Sequence, residues 1–278
     1  VAGAVCGGLA TELLLSGQRS ELGHAVARQW SLARQGGRGR ALVNVALQTP
    51  NTLLNDGHAW KPNAADHIVA STRRALAEAT RQRCGFLVHA SYAFLRSAED
   101  GGKVGDWLQS IVDAAVEAEH LVLESGRRAT VLRLGYLYGP DSRDLRAYRL
   151  AFRLGRPYWA GPRHNLQYFL HTDDAARALL GAATSRPDGP LLYATDDTPA
   201  SFADFMDHFA HGVGRRRPLH LPDITRQLVR AVVREPHQQM VDLAADGPAA
   251  PRLPGFVARY PDYRAGLDQV LEAWQEKR

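Results

Sequence analysis

The chain has 278 residues, 45% hydrophobic and 23% charged, enough apolar matter for one large domain or two small ones of ordinary globular type. Its formal charge of +5 comes from scattered arginines, since Lys61, Lys103 and Lys277 are the lysines, and the cluster Arg215-Arg216-Arg217 has no interleaved aromatics, so no nucleic acid is expected as a partner. No apolar run reaches the roughly 20 residues of a membrane span, and Cys6 and Cys84 form no CxxC pair, so no membrane is expected and the thiols fit a cytoplasmic protein.

The opening VAGAVCGGLATELLLSG carries Gly3, Gly7 and Gly8 in an irregular cluster and lacks the basic start of a signal peptide. Residues 41–47 (ALVNVAL) form a predicted buried strand, stopped by Thr49-Pro50-Asn51. A helix follows over 64–80, then a strand over 84–91, a helix over 112–124 and a strand over 129–134. Near-continuous apolar strands alternating with helices require a parallel sheet covered on both faces. The crossover rule then makes it an α/β, doubly wound sheet of Rossmann type.

Past Pro140 the pattern predicts a helix over 145–154, a Gly/Pro/aromatic loop over 155–163, and a helix opened by Thr172-Asp173-Asp174. A strand over 191–195, a serine-capped helix over 201–214, a helix near 224–233 and a closing helix over 263–274 complete the chain. The expected division is a sheet domain over 1–140 and a small mixed lobe over 141–278, some segments of which return to the sheet. A small-molecule ligand is expected in the crevice between them.

The strings FLVHASYAF, AEHLVLESG, ATVLRLGYLYGP and FLHTDDAARALL, with GFVARYPDYRAGLDQVL at the end, resemble the extended short-chain dehydrogenase/reductases, the NAD-dependent epimerase/dehydratase group, across residues 41–275. The resemblance implies a domain binding NAD or NADP, with no metal. It also implies a Ser/Thr that polarises substrate, a Tyr acid/base, and a Lys four residues on that lowers the tyrosine's pKa. Carried onto this chain, the serine falls on Ser91, whereas the Tyr and Lys positions are Ile111 and Ala115. No Tyr or Lys occurs between Lys103 and Tyr136, so a shift of register does not restore the pair.

For the cofactor, the resemblance implies Gly3, Gly7 and Gly8, with Ala46, Leu47 and Ala90 at strand ends. For substrate, Tyr136 is a candidate from its place at the carboxyl end of a strand, and the resemblance adds Gln167, where nucleotide-sugar enzymes carry an arginine for the diphosphate, so that a nucleotide-sugar substrate is less expected. The three glycines are wrongly spaced, and two readings stand: a degenerate loop followed by a deletion before Ala41, or a loop upstream of Val1. Either leaves the first βαβ unit short by roughly two dozen residues. With no acidic residue after a clear second strand, NAD and NADP are not distinguished.

The sequence therefore favours a degenerate active site, in a module that binds a ligand, a protein partner or a second copy of itself without standard redox chemistry. The alternative is an atypical NAD(P)-dependent reductase or isomerase of a small substrate other than a nucleotide sugar, using Ser91. His208 and His211 are expected on a helix face rather than at a metal, and His89 in the core.

Overall fold

Which face each strand shows is set by its alternating apolar residues. The computed structural model describes residues 12–32, 39–47, 63–101, 106–155, 158–159, 165–220 and 249–276. Its main sheet has β1 (Glu12–Ser16), β2 (Arg40–Asn44), β3 (Phe86–Tyr92), β4 (Ala129–Leu134) and, as fifth strand, Leu191–Ala194, all parallel and in that order. Ala41, Val43, Phe86, Val88, Ala90, Leu132 and Leu134 point to one face. There they meet α1 (Glu21–Leu32) and the helix Thr172–Ser185, whose many buried alanines let it lie close on the strands. Leu42, Leu87 and Val131 point the other way, against α2 (Ala64–Arg81) and α4 (Asp106–Leu123), with the short α3 (Leu95–Glu99) between β3 and α4. The sheet is thus covered on both faces, as its apolar strands require.

The strand β1 and helix α1 stand just after the irregular glycine cluster, where the sequence pattern predicts neither. Their placement has a consequence for handedness. The crossovers β1–α1–β2 and β2–α2–β3 advance in the same direction across the sheet, yet α1 and α2 lie on opposite faces. Two such crossovers have opposite hands, so one of them departs from the right-handed rule. Among the described residues no strand stands between α1 and β2.

A second core is aromatic. The parallel pair β5 (Tyr136–Tyr138) and β8 (Phe169–His171) is packed by α5 (Arg143–Leu154), α7 (Phe202–Gly212) and the closing helix α8 (Tyr263–Glu276). Two-residue strands β6 (Tyr158–Trp159) and β7 (Leu166–Gln167) lie between α5 and β8; α6 is the helix Thr172–Ser185 and β9 the strand Leu191–Ala194. The β7 strand pairs antiparallel with β10 (Ala200–Ser201), and β6 pairs parallel with β11 (Leu219–His220). Phe169 stacks on Phe205 at 4.7 Å, and Trp274 Nε1 donates to the Pro140 carbonyl at 2.7 Å, tying α8 to the end of β5. The helix expected near 224–233 lies outside the described residues.

Candidate functional site

The carboxyl ends of β1 and β2 adjoin the amino end of α1, and the turn from Gly17 to Gly23 shapes that junction. Gly17 has φ +88°, and a Cβ there would come within 2.8 Å of the Ala46 nitrogen. A Cβ on Gly23 would run into the Gly17 carbonyl, so the helix can approach its own strand only because residue 23 has none. Between them Ser20 caps α1: its Oγ donates to Gly17 O at 2.8 Å and accepts from Gly23 N at 3.0 Å. The amides of Glu21 and Leu22, the first two helical positions, have no intrahelical acceptor. They stand at the positive end of the helix, where an anion is favoured.

This G-x-x-S-x-x-G spacing was readable in the sequence: a leucine run, two glycines six apart, and an amphipathic helix behind them. Gly3, Gly7 and Gly8 lie outside the described residues. Ala46 and Leu47 do adjoin the turn, since Val45 N donates to Ser16 O at 2.9 Å and so sets the end of β2 against Gly17. Ala90 is buried on the sheet face that α6 covers.

Acids gather on the other side of this junction. Glu21 accepts a long hydrogen bond from Thr172 Oγ1 at 3.5 Å. Burial, then Asp144 and Asp141, push its carboxyl up to about 7, against Arg146 and the Thr172 bond. Tyr136 donates to Asp144 Oδ2 at 3.2 Å, and burial followed by Asp144 holds its phenol well above the ordinary range. Tyr136 is therefore a neutral hydrogen-bonding group here, not a phenolate base.

The opposite face of the sheet holds the other expected site residues, and holds them tightly. Ser91 Oγ is buried and donates to Glu119 Oε1 at 2.5 Å. Arg133 binds both oxygens of that carboxylate, at 2.9 and 2.6 Å. It also forks onto Glu99 at 2.7 and 2.5 Å and donates to Tyr193 OH at 2.9 Å. Ile111 and Ala115 are buried in an apolar cluster with Phe94, Leu95 and Leu108. Ser91 and Tyr136 thus have separate partners, and packing occupies the helix positions where the resemblance would set chemistry.

Gln167 is half-buried on β7. His89 pairs with Asn44 Nδ2 at 3.0 Å, and burial lowers its pKa to about 4, which keeps it neutral. His171 caps α6, its Nδ1 accepting from Asp173 N at 3.2 Å. His208 pairs with Asp268 at 2.8 Å. Among the described residues no three His, Cys, Asp or Glu side chains are grouped to hold a metal, and no helix is long and apolar enough to cross a membrane.

No family model matches the sequence. A 113-residue stretch is 37% identical to a Streptomyces protein named 3-diazoavenalumate denitrifying reductase, covering 40% of this chain and 37% of that relative's length. Among solved structures, the chain is similar to human epimerase family protein SDR39U1 with NADPH, at TM-score 0.69 and 20% identity over 94% of this chain and 99% of that one. It is also similar to MoeE5 in complex with UDP-glucose and NAD, at TM-score 0.66 and 18% identity over 96% and 99% of the two chains. A UDP-N-acetylglucosamine 4-epimerase from Bacillus cereus superposes at TM-score 0.67 and 13% identity over 96% and 100%. The fold is that of the epimerase-type short-chain dehydrogenase/reductases.

Proposed function

We propose that this chain, with its epimerase/dehydratase-type fold, binds a nicotinamide dinucleotide at the turn from Gly17 to Gly23 and works as a reductase without the Tyr–Lys pair. The carrying observation is the turn itself, in which two glycines, a capping serine and a helix amino end form an anion cradle beside Ala46. The amides of Glu21 and Leu22 would hold the diphosphate, and Ala46 and Leu47 would flank it. Once bound, the dinucleotide would supply a hydride to an electrophilic acceptor.

The buried Ile111 and Ala115 offer no proton, so the reading favours an acceptor that needs none. An aryl diazonium is one: net gain of a hydride turns it into the arene and N₂, with charge and atoms balanced. The name of the Streptomyces relative, a denitrifying reductase of a diazo compound, supports that class of acceptor. Residues 1–140 would form the dinucleotide domain and 141–278 the lobe that meets substrate, with Tyr136 at their junction.

A second reading keeps the dinucleotide but not the turnover, leaving a binding or assembly module. It is favoured by Ser91, whose hydroxyl is committed to Glu119. Thermal melting with NAD⁺, NADP⁺ and their reduced forms tests the shared premise, because a ligand of the folded state must raise the midpoint. A midpoint unmoved by all four at millimolar concentration removes both readings. Oxidation of NADPH by benzenediazonium faster than the protein-free rate is expected for the reductase, and its absence despite binding selects the module.

A further inference from the structure

If the dinucleotide reading holds, one residue of the cradle is at odds with its anion. Glu21 is the first residue of α1, and its amide is one of the two without an intrahelical acceptor that the dinucleotide reading turns toward a diphosphate. Its side chain does not swing into solvent. It is folded against Thr172 at the start of α6, and it faces Asp144 and Asp141 at the start of α5. The other charged groups around it are Arg146 of α5, turned onto Asp141 and the Pro140 carbonyl, and Arg28 of α1, shared between Asp141 and Asp173. Tyr136 of β5 faces the same space and is bound to Asp144. Acids from the start of α5 therefore gather around the side chain of the residue that opens the cradle.

We infer that Glu21 must carry a proton for the diphosphate to bind, so that this carboxyl makes dinucleotide binding proton-linked. In neutral form the carboxyl removes a negative charge from the cradle and can donate a hydrogen bond to a phosphate oxygen. Ionised, it places a like charge beside the incoming anion, with Asp144 and Asp141 behind it. Burial with those two acids already holds the group near half-protonation at about pH 7. The sign follows: affinity is retained below that point and falls above it. If the ionised form is fully excluded, the fall is about tenfold per pH unit.

The test is the dissociation constant of NADH, which lacks the separately titrating 2′-phosphate of NADPH, followed by fluorescence from about pH 5.5 to 8.5. The wild-type constant should be level on the acid side and rise on the alkaline side. Glu21→Gln should remove the rise and bind at least about tenfold more tightly at the alkaline end. Asp144→Asn should keep the rise and move it to lower pH, because removing a neighbouring negative charge lowers the pKa of Glu21 and so the pH at which the binding form is lost. Melting curves without ligand establish that each variant is folded. A constant that rises as steeply in Glu21→Gln as in the wild type overturns the inference, as does a level wild-type curve. Those outcomes leave the dinucleotide reading standing, whereas no NADH binding by any form at any pH removes that reading and the inference together.

Discussion

Arg133 shows how a residue expected to be polar and exposed can become the fixed point of a sheet. It lies in the middle of ATVLRL, with a side chain 2% exposed, and its guanidinium is saturated by Glu119, Glu99 and Tyr193. Arg133→Ala leaves Glu119 charged, buried and bound only to Ser91, a defect that costs about 3–5 kcal/mol. Ser91→Ala removes one hydrogen bond to a charged group and should cost only about 1.5–3 kcal/mol. Urea denaturation of the two variants checks the order. A Ser91→Ala protein of unchanged stability but abolished turnover would instead return Ser91 to the chemistry the resemblance implies. At this scale the sequence was partly legible: the apolar Ile111 and Ala115 pack in the core beside α4's other apolar residues, as their chemistry suggests. The bond from Ser91 to Glu119 was not legible, because it depends on a strand and a helix being stacked 28 residues apart in the chain.

Among the elements, α8 docks through a close approach that a single small residue permits. Gly266 lies over Tyr138, and a Cβ there would strike the phenol oxygen and reach 2.7 Å from Cζ. Tyr138 cannot swing aside, being fully buried against Phe169 and Phe205. Alanine improves helix propensity by about 1 kcal/mol, but overpacking of this kind costs about 1–3 kcal/mol. Gly266→Ala should therefore lower the melting midpoint. Adding Tyr138→Phe should recover part of the loss, since the Tyr138 hydroxyl is buried with no hydrogen-bond partner among the described residues. No recovery in the double variant would mean that the clash is not with the hydroxyl.

Elements with a clear period or cap were legible in the sequence. The strand Ala129–Leu134 has its predicted bounds, and Ser201 caps α7 by accepting from Asp204 N at 3.0 Å. The pair β1 and α1 was harder to read, although the Gly17 and Gly23 spacing marks the turn between them. ELLLS is half-buried along most of its length and shows no alternation, and α1 carries a glycine in its first turn, against helical propensity.

For the whole molecule, those two elements form one edge of the main sheet. The strands β3 and β4 are interior and buried on both faces, whereas β1 is the end strand of the described sheet, with its leucines only half-buried. The helix α1 buries Leu22, Ala25 and Val26 in the core and is tied to α6 by Arg28 to Asp173 and Gln29 to the Asp173 carbonyl, and one of the two crossovers beside it has the disfavoured hand. Local opening follows low burial and exposed backbone bonds. Native-state hydrogen exchange should therefore find the amides of β1 and α1 opening first, and those of β3 and β4 exchanging only with global unfolding. The same unit carries the Gly17–Gly23 turn, so a bound dinucleotide would slow exchange in β1 and α1 far more than in β3. Protection of β1 equal to that of β3 without ligand would show that the edge is as firm as the centre. Equal slowing everywhere on adding NADH would place the ligand's grip on the whole sheet rather than on its weakest unit.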